Sequence, residues 1–174
     1  MNNLLEDVQA VLTTTPERWQ RLVSTLPIDL LQRPPAAGEW SALNCLQHLV
    51  EAERSLFPSR FRAFITGQDF SAFDPNQQHT DLNSQTPEQL ASAFARYRQE
   101  SLALIGQVKD DDLERTAQHP QFGTVTLAQM LYTWAAHDLM HTVQAERALM
   151  QPFMNGCGPW RSFFRDHEVG VSQK

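Results

Sequence analysis

The sequence predicts an all-α fold, a bundle of four long helices in a single domain over residues 1–174. Four segments carry apolar residues at spacings of three and four, and together they account for most of the chain. One short stretch near residue 120 looks like a turn or hairpin, so no substantial sheet is expected. A chain of 174 residues is long enough to bury a core without cross-links.

Composition and charge exclude several classes of protein. The net charge of −6 and the absence of a Lys/Arg cluster argue against binding to nucleic acid. No apolar run approaches the roughly 20 residues that span a bilayer, and the polar, acidic start has no signal-peptide pattern. With only Cys45 and Cys157, no disulfide framework is expected. We therefore expect a cytoplasmic protein whose partners are small molecules rather than nucleic acid or membrane.

A proline-rich loop separates the first two helices. The first spans residues 3 to about 24, and Pro16 within it allows either a kinked helix or a short helix followed by a new one. The second begins after Ser41, a favoured N-cap residue, and Trp40 before it is placed to pack on Cys45 or a neighbour as a hydrophobic staple. The core face of this helix comprises Leu43, Leu46, Leu49, Val50, Phe57, Phe61 and Phe64.

A long polar connection joins the second helix to the third. Residues 67–84 are rich in Asp, Asn, Gln and Ser, and connections of this length in compact domains are often functional. Phe70 and Phe73 within it are expected to fold back over the bundle. Thr86 and Pro87 then mark the start of the third helix. We interpret the charges on that helix, Arg96, Arg98 and Glu100, as a solvated face.

The fourth long helix carries two histidines on its buried side. It starts after Thr126, and Pro152 with the glycines that follow is expected to end it. His137 and His141 are four residues apart, so their rings leave the same side of the helix. They share a helical sector with Leu127, Met130, Trp134, Ala145 and Ala148. Two titratable rings therefore point into the core.

A buried imidazole needs partners for its nitrogens, and either a metal ion or a hydrogen-bonded carbonyl can provide them. A third ligand on another element would favour the metal. His48 lies on the shoulder of the second helix's core face beside the small residues Asn44, Cys45, Ala52 and Ser55. Taken alone, it is better explained as a structural histidine. The remaining histidines, His79, His119 and His167, fall in loops or in the tail.

These features together resemble the DinB-like superfamily of four-helix metalloproteins. The matching motifs are Trp40-Ser41 with His48 seven residues on, the residues Phe122-Gly123-Thr124-Val125-Thr126-Leu127, the His137-x-x-x-His141 pair and Gly158-Pro159-Trp160. The resemblance runs from about Asn3 to Phe164. It implies an up-down-down-up four-helix bundle with a long crossover connection.

The resemblance also implies a site. One histidine of the second helix and two of the last bind a divalent metal in the family, commonly Zn or Ni, and the matching residues here are His48, His137 and His141. Where family members often carry Glu, this chain has Asn44, so we expect the reciprocal capping bond to be lost. Three histidines with an open fourth position are typical of a catalytic rather than a structural metal site.

The function implied is a metal-dependent enzyme acting on small electrophilic molecules. It would be a transferase that uses a low-molecular-weight thiol as cosubstrate, or a hydrolase-type enzyme. No general base can be identified, because the nearest carboxylates in the sequence, Glu51 and Asp138, are equally well explained as supporting or surface residues. The alternative is a non-catalytic, stress-linked protein that binds a metal or a small molecule. A homodimer is common among similar proteins.

Cys45 lies close to His48 on the helical wheel, about one turn earlier. It could form a wall of the metal pocket or act as an extra thiolate ligand. Buried cysteines are more often small packing residues, and we favour that interpretation.

Overall fold

The computed structural model describes residues 3–70, 82 and 84–170. The α-helices are α1 (Leu4–Thr25), α2 (Ile28–Gln32), α3 (Ala42–Glu51), α4 (Phe57–Thr66), α5 (Pro87–Ile105) and α6 (Leu127–Gly156). A π-helical turn, Ala52–Leu56, joins α3 directly to α4, so these two form one long rod. Strands β1 (Thr116–His119) and β2 (Gly123–Thr126) make a small hairpin, and 3₁₀-helices cover Asp110–Glu114 and Gly158–His167.

Two apolar clusters fix the direction of each helix in the bundle. The first cluster joins the start of α1 to α4, the end of α5 and the start of α6, and its buried residues include Leu4, Val8, Leu12, Phe61, Ile105 and Leu131. The second cluster joins the end of α1 to α3, the start of α5 and the later part of α6, and its buried residues include Trp19, Leu46, Phe94 and Leu149. Helices α1 and α6 therefore run one way, and the α3–α4 rod and α5 run the other way.

This arrangement confirms the all-α four-helix bundle with its up-down-down-up order. Because α4 ends at one end of the bundle and α5 starts at the other, the connection between them has to cross the full length of the bundle. Phe70, at the start of that connection, packs edge-on against Phe64 as expected. Phe73 and His79 lie outside the described residues.

The first helix is continuous through Pro16. A proline has no N–H, so the carbonyl four residues earlier, that of Leu12, loses its helical donor. Arg98 of α5 donates to this carbonyl from Nη1 at 2.9 Å. The helix is therefore not divided into two at Pro16, which rules out the second of the two possibilities left by the sequence, and a side chain from another helix supplies the missing hydrogen bond.

Helix α3 begins at Ser41 as predicted, but the expected loss of a capping bond at Asn44 is wrong. The backbone N–H of Asn44 donates to Ser41 Oγ, and Asn44 Oδ1 accepts from the backbone N–H of Ser41 at 3.1 Å. The amide oxygen of Asn is an acceptor, as the carboxylate of Glu is, so the reciprocal bond is kept.

The starts of α5 and α6 also follow the sequence, whereas the short helix α2 and the separate start of α4 were not predicted. Thr86 caps α5 and Thr126 caps α6, each with a glutamine three residues later that returns the bond. The predicted hairpin is present, with β1 and β2 antiparallel and His119 opposite Gly123.

Pro152 does not end α6, contrary to expectation. The helix continues through it to Gly156, and the 3₁₀-helix that follows turns back along α6. Gln151 Nε2 donates to the carbonyl of His167 at 2.9 Å, which ties this tail to the helix. A proline removes one helical hydrogen bond, and the contacts of the surrounding helix are sufficient here to keep the turn.

Cys45 and Cys157 are both free thiols. Within the described part of the chain, no helix combines the length and the apolar character needed to cross a membrane.

Candidate metal centre

The three predicted histidines meet at the junction between α3 and α6. His48 comes from the last turn of α3, and His137 and His141 come from successive turns of α6. Each offers a ring nitrogen such that all three nitrogens lie within 4.8 Å of one another. The Nε2 atoms of His48 and His137 are 3.0 Å apart. Two nitrogens bound to one ion at about 2.1 Å in tetrahedral geometry would be roughly 3.4 Å apart, so the spacing suits a shared metal ion.

The hydrogen bonds of the triad leave ring nitrogens free to act as ligands. His141 Nδ1 lies 2.9 Å from Oε1 of Gln144, which can only accept, so Nδ1 carries the proton and Nε2 keeps its lone pair. His137 Nδ1 is buried and has no hydrogen-bond partner among the described residues. The nitrogen of His137 that faces His48 is Nε2, so an ion bound there would use Nε2 and would leave Nδ1 as an unpaired N–H.

The environment keeps these rings neutral. Burial, followed by the neighbouring His141 ring, lowers the pKa of His48 to about 4, against a smaller raising effect of Glu51. Burial and the charges of His141, His48 and Arg98 lower the pKa of His137 to about 3. Burial also lowers the pKa of His141. Neutral imidazoles are the form that binds a metal, so the triad is ready for coordination at neutral pH.

Two aromatic side chains hold the triad in place. The ring of Trp40 stacks on His141 with centroids 5.7 Å apart and also contacts His48 at 5.1 Å. Phe57 meets His137 edge-on at 5.1 Å. Trp40 was expected to pack on Cys45 or a neighbour as a staple, and the structure shows that its ring contacts two of the three candidate ligands.

Comparison with known proteins then identifies the family. A family model described as the DinB superfamily matches residues 12–145, well over half of the chain. The chain belongs to the DinB superfamily. The resemblance found in the sequence is thereby confirmed. Among curated proteins, no match is found.

A solved structure similar to this DinB-superfamily chain is YfiT from Bacillus subtilis. The two share 18% sequence identity with a TM-score of 0.75, over 88% of this chain and 89% of YfiT. YfiT is described as "a probable metal-dependent hydrolase with an unusual four-helix bundle topology". At this identity the likeness establishes the shared fold.

A buried ion-pair cluster lies next to the triad and was not predicted. Arg98 donates to Asp138 through both Nη1 and Nη2, at 2.7 and 3.1 Å, and its Nη2 donates to Glu53 at 2.7 Å. All three side chains are 1% exposed. We call Glu53, Arg98 and Asp138 the polar layer, because along the helices it lies between the two apolar clusters.

The polar layer corrects the interpretation of Arg98 as part of a solvated face. Arg98 follows Leu90 and Phe94 at intervals of four residues, so it lies on the apolar stripe of α5. That spacing was the signal for burial. The burial acts to lower the pKa of Arg98, but Asp138 and Glu53 raise it, so the guanidinium stays charged.

The two carboxylates considered as general bases are both engaged. Asp138 is committed to Arg98 in the polar layer. Glu51 forms an ion pair with Arg54 at 2.6 Å. Glu53 accepts from Trp134 Nε1 at 3.1 Å in addition to Arg98. These three carboxylates therefore support the helices that carry the triad.

Cys45 lies outside the group of side chains that could share a metal ion. It is fully buried in the second apolar cluster. Burial raises the pKa of its thiol to about 12, so the thiol stays protonated at neutral pH and is a poor ligand. Of the other histidines, His119 ends β1 and accepts from the backbone N–H of Gln121, and His167 ends the 3₁₀-helix of the tail.

Proposed function

We propose that this protein binds one divalent metal ion, zinc or nickel, through His48, His137 and His141, and that it is a metal-dependent enzyme for small electrophilic molecules. The observation that carries the proposal is the meeting of three neutral imidazoles from two helices with their nitrogens within 4.8 Å. Imidazole nitrogens suit both metals.

The donor set supports a catalytic rather than a purely structural site. Three protein ligands leave a coordination position for water or substrate, whereas structural zinc sites use four. When bound, the ion would act as a Lewis acid and lower the pKa of a water or thiol, which supplies a nucleophile near neutral pH.

The surrounding residues would prepare the site for that chemistry. Gln144 accepts a hydrogen bond from Nδ1 of His141, which leaves the lone pair of Nε2 available for the ion. Trp40 and Phe57 pack against the rings and restrict their orientation. The polar layer holds α3, α5 and α6 at a fixed rotation, because its bonds connect α5 to α6 and to the π-helical turn that continues α3.

Two reaction types remain within this proposal. A hydrolase-type reaction is supported by the description of YfiT, which has the same fold. A transferase with a low-molecular-weight thiol as cosubstrate uses the same triad and differs only in the nucleophile.

Metal analysis of protein purified without a histidine tag tests the first part, with an expected content of about one ion per chain. Electrophilic substrates are then screened with and without a panel of thiols, on metal-loaded and metal-stripped protein. Turnover that needs metal alone indicates a hydrolase, and turnover that needs metal and thiol indicates a transferase. A metal-bound protein without turnover would favour the non-catalytic binding protein, and a metal-free protein that cannot be loaded would contradict the proposal.

We further propose a cytoplasmic, single-domain protein over residues 1–174 that acts on small molecules, forms a homodimer and does not bind nucleic acid. The net charge of −6 supports the last point. Light scattering measures the mass of the assembly directly.

A further inference from the structure

A cleft of about 610 Å³ lies beside the histidine triad. One wall is the outer face of α6, another is the loop before α3, and the third is the tail at Val169. Two of its lining residues also contact the triad, since Trp40 packs on His48 and His141 and Gln144 bonds to His141. The cleft therefore adjoins the candidate metal centre through shared side chains.

The α6 wall of the cleft is apolar. Leu139, Met140 and Val143 are 51%, 55% and 52% exposed, although large apolar side chains are normally buried. Apolar side chains grouped in a concavity beside polar groups are typical of small-molecule sites.

A cation lies at one end of this apolar wall. Arg147 lines the cleft, and its Nη2 donates to the carbonyl of Asp166 in the tail. In the described part of the chain, no carboxylate forms an ion pair with Arg147, and its buried Nε has no hydrogen-bond partner there. Among the described residues, its charge therefore has no carboxylate partner, and the N–H groups of Nη1 can donate to an anionic ligand. The acidic residue of the lining, Glu39, is exposed on the opposite loop.

Packing contacts fix the tail and the loop before α3 in place, so they define the shape of the cleft. The backbone N–H of Val169 donates to Oε1 of Gln151, which anchors the tail to α6. A Cβ on Gly170 would lie only 2.9 Å from the Cβ of Ala36, and the φ of Gly170 is +80°. Glycine is suited to this position on both counts.

We propose that the cleft binds the non-reacting part of the substrate, and that this part is an apolar chain or ring ending in a carboxylate. The carboxylate lies at Arg147, and the apolar body lies on Leu139, Met140 and Val143, with Trp40 between it and the triad. From Ala136 to Arg147 the helix rises by about 16 Å, which is long enough for a medium-chain carboxylate. That the occupant is the substrate rests on the proposed function, whereas its binding does not require the metal.

The probe is octanoate, which is titrated into the metal-free protein and followed by calorimetry. The comparison compound is octan-1-ol, which has the same chain length without the charge. We expect saturable octanoate binding that is roughly tenfold or more tighter than that of octan-1-ol, the range for a hydrogen bond to a charged group. Arg147→Gln should weaken octanoate by a similar factor and leave octan-1-ol unchanged. Arg21→Gln, which removes an exposed arginine from α1, is the matched control and should change neither.

Because Arg147 also holds the tail, a second variant tests the cleft without changing that contact. Met140→Asp places a carboxylate on the exposed apolar wall, so it should abolish octanoate binding without unfolding the protein. Fluorescence locates the ligand in a Trp160→Phe background. The tryptophans that remain besides Trp40 are Trp19 and Trp134, and each is only 1% exposed. The emission change on adding octanoate should therefore come from Trp40.

Equal affinity for octanoate and octan-1-ol, or octanoate binding that survives both cleft variants, would overturn the proposal. A second result would also overturn the proposal: the wild-type protein is a dimer that does not bind octanoate, and light scattering shows that Met140→Asp dissociates it. In that case a second copy of the chain would cover the cleft. Octanoate binding by a protein that takes up no metal would instead contradict the metal centre and leave the cleft assignment standing.

Discussion

The ring nitrogens of the triad have different partners. Gln144 occupies Nδ1 of His141, whereas Nδ1 of His137 is buried without a partner among the described residues. Nε2 of His48 and Nε2 of His137 face each other at 3.0 Å. At the scale of single residues, the site is therefore three imidazoles whose nitrogens lie within 4.8 Å of one another, and the pKa of His137 is lowered to about 3 by burial and by the neighbouring charges.

Replacing one ligand should remove the metal without unfolding the bundle. We expect His137→Ala to lose the bound ion, because two histidines bind far more weakly than three, and to keep its helical circular dichroism. Cys45→Ala is the matched control within the same site region and should keep the metal, at a cost of roughly 1 kcal/mol in stability. Elemental analysis and thermal melting of both variants test this, and loss of metal from Cys45→Ala would mean that the thiol is a ligand.

The low pKa values of the histidines predict how acid affects the metal-free protein. Histidine in the unfolded chain has a pKa near 6.5, whereas His48 and His137 have pKa values of about 4 and about 3 when folded. Between these limits the unfolded chain binds more protons, so the free energy of unfolding should fall as the pH drops from about 6.5 towards 4.

Urea unfolding of the metal-free protein at a series of pH values measures this slope. His137→Gln removes one of the two strongly shifted groups, so its slope should be smaller than that of the wild type. A wild-type stability that does not change between pH 7 and pH 5 would contradict the neutral, buried state of the triad.

Among the elements, the π-helical turn between α3 and α4 connects the histidine triad to the polar layer. It contains Glu53, which lies on the buried side and pairs with Arg98 of α5. π-Helical turns are rare and often occur at functional sites. Here the turn starts four residues after His48, so the same segment carries a candidate ligand and an anchor of the polar layer.

Removing the cation of the polar layer should destabilise the fold strongly. Arg98→Met leaves Glu53 and Asp138 as two buried carboxylates without a counter-charge and frees the carbonyl of Leu12, which we expect to cost about 3–5 kcal/mol. Arg96→Met is the matched control on the same helix, and because Arg96 is exposed it should change stability by less than about 0.5 kcal/mol. Denaturant unfolding of both proteins gives the comparison, and equal stabilities would show that the polar layer contributes little.

For the whole molecule, the two apolar clusters at opposite ends of the bundle supply the stability. Metal removal by a chelator should therefore leave the helical circular dichroism unchanged at 25 °C. Mass action at a hundredfold excess of metal over its Kd contributes about 2.7 kcal/mol, so chelation should lower Tm by roughly 5–10 °C for a chain of this size. Loss of helical signal on chelation would show that the metal is needed for folding.

From the sequence, the four long helices and the buried His137–His141 pair could be predicted, and His48 was added to that pair through the family resemblance. N-cap residues such as Ser41, Thr86 and Thr126 mark helix starts through bonds to residues three positions away, and the His137–His141 spacing follows from the helical period. Such signals are local, so they can be read without knowing which helices are neighbours. The stop signal at Pro152 failed because one missing hydrogen bond does not outweigh the contacts of a long helix.

Tertiary structure decided the partners of the charged and polar groups. Arg98 finds Asp138, Glu53 and the carbonyl of Leu12 at separations of 40, 45 and 86 residues. A single sequence shows the charge of each residue but not which helix it faces, so Arg98 was taken as solvated although its spacing placed it on the apolar stripe. The cleft beside Trp40 likewise exists only because the tail and the loop before α3 meet over α6. Long-range packing, which brings together segments far apart in the chain, is the physical reason that these features appear only in the folded molecule.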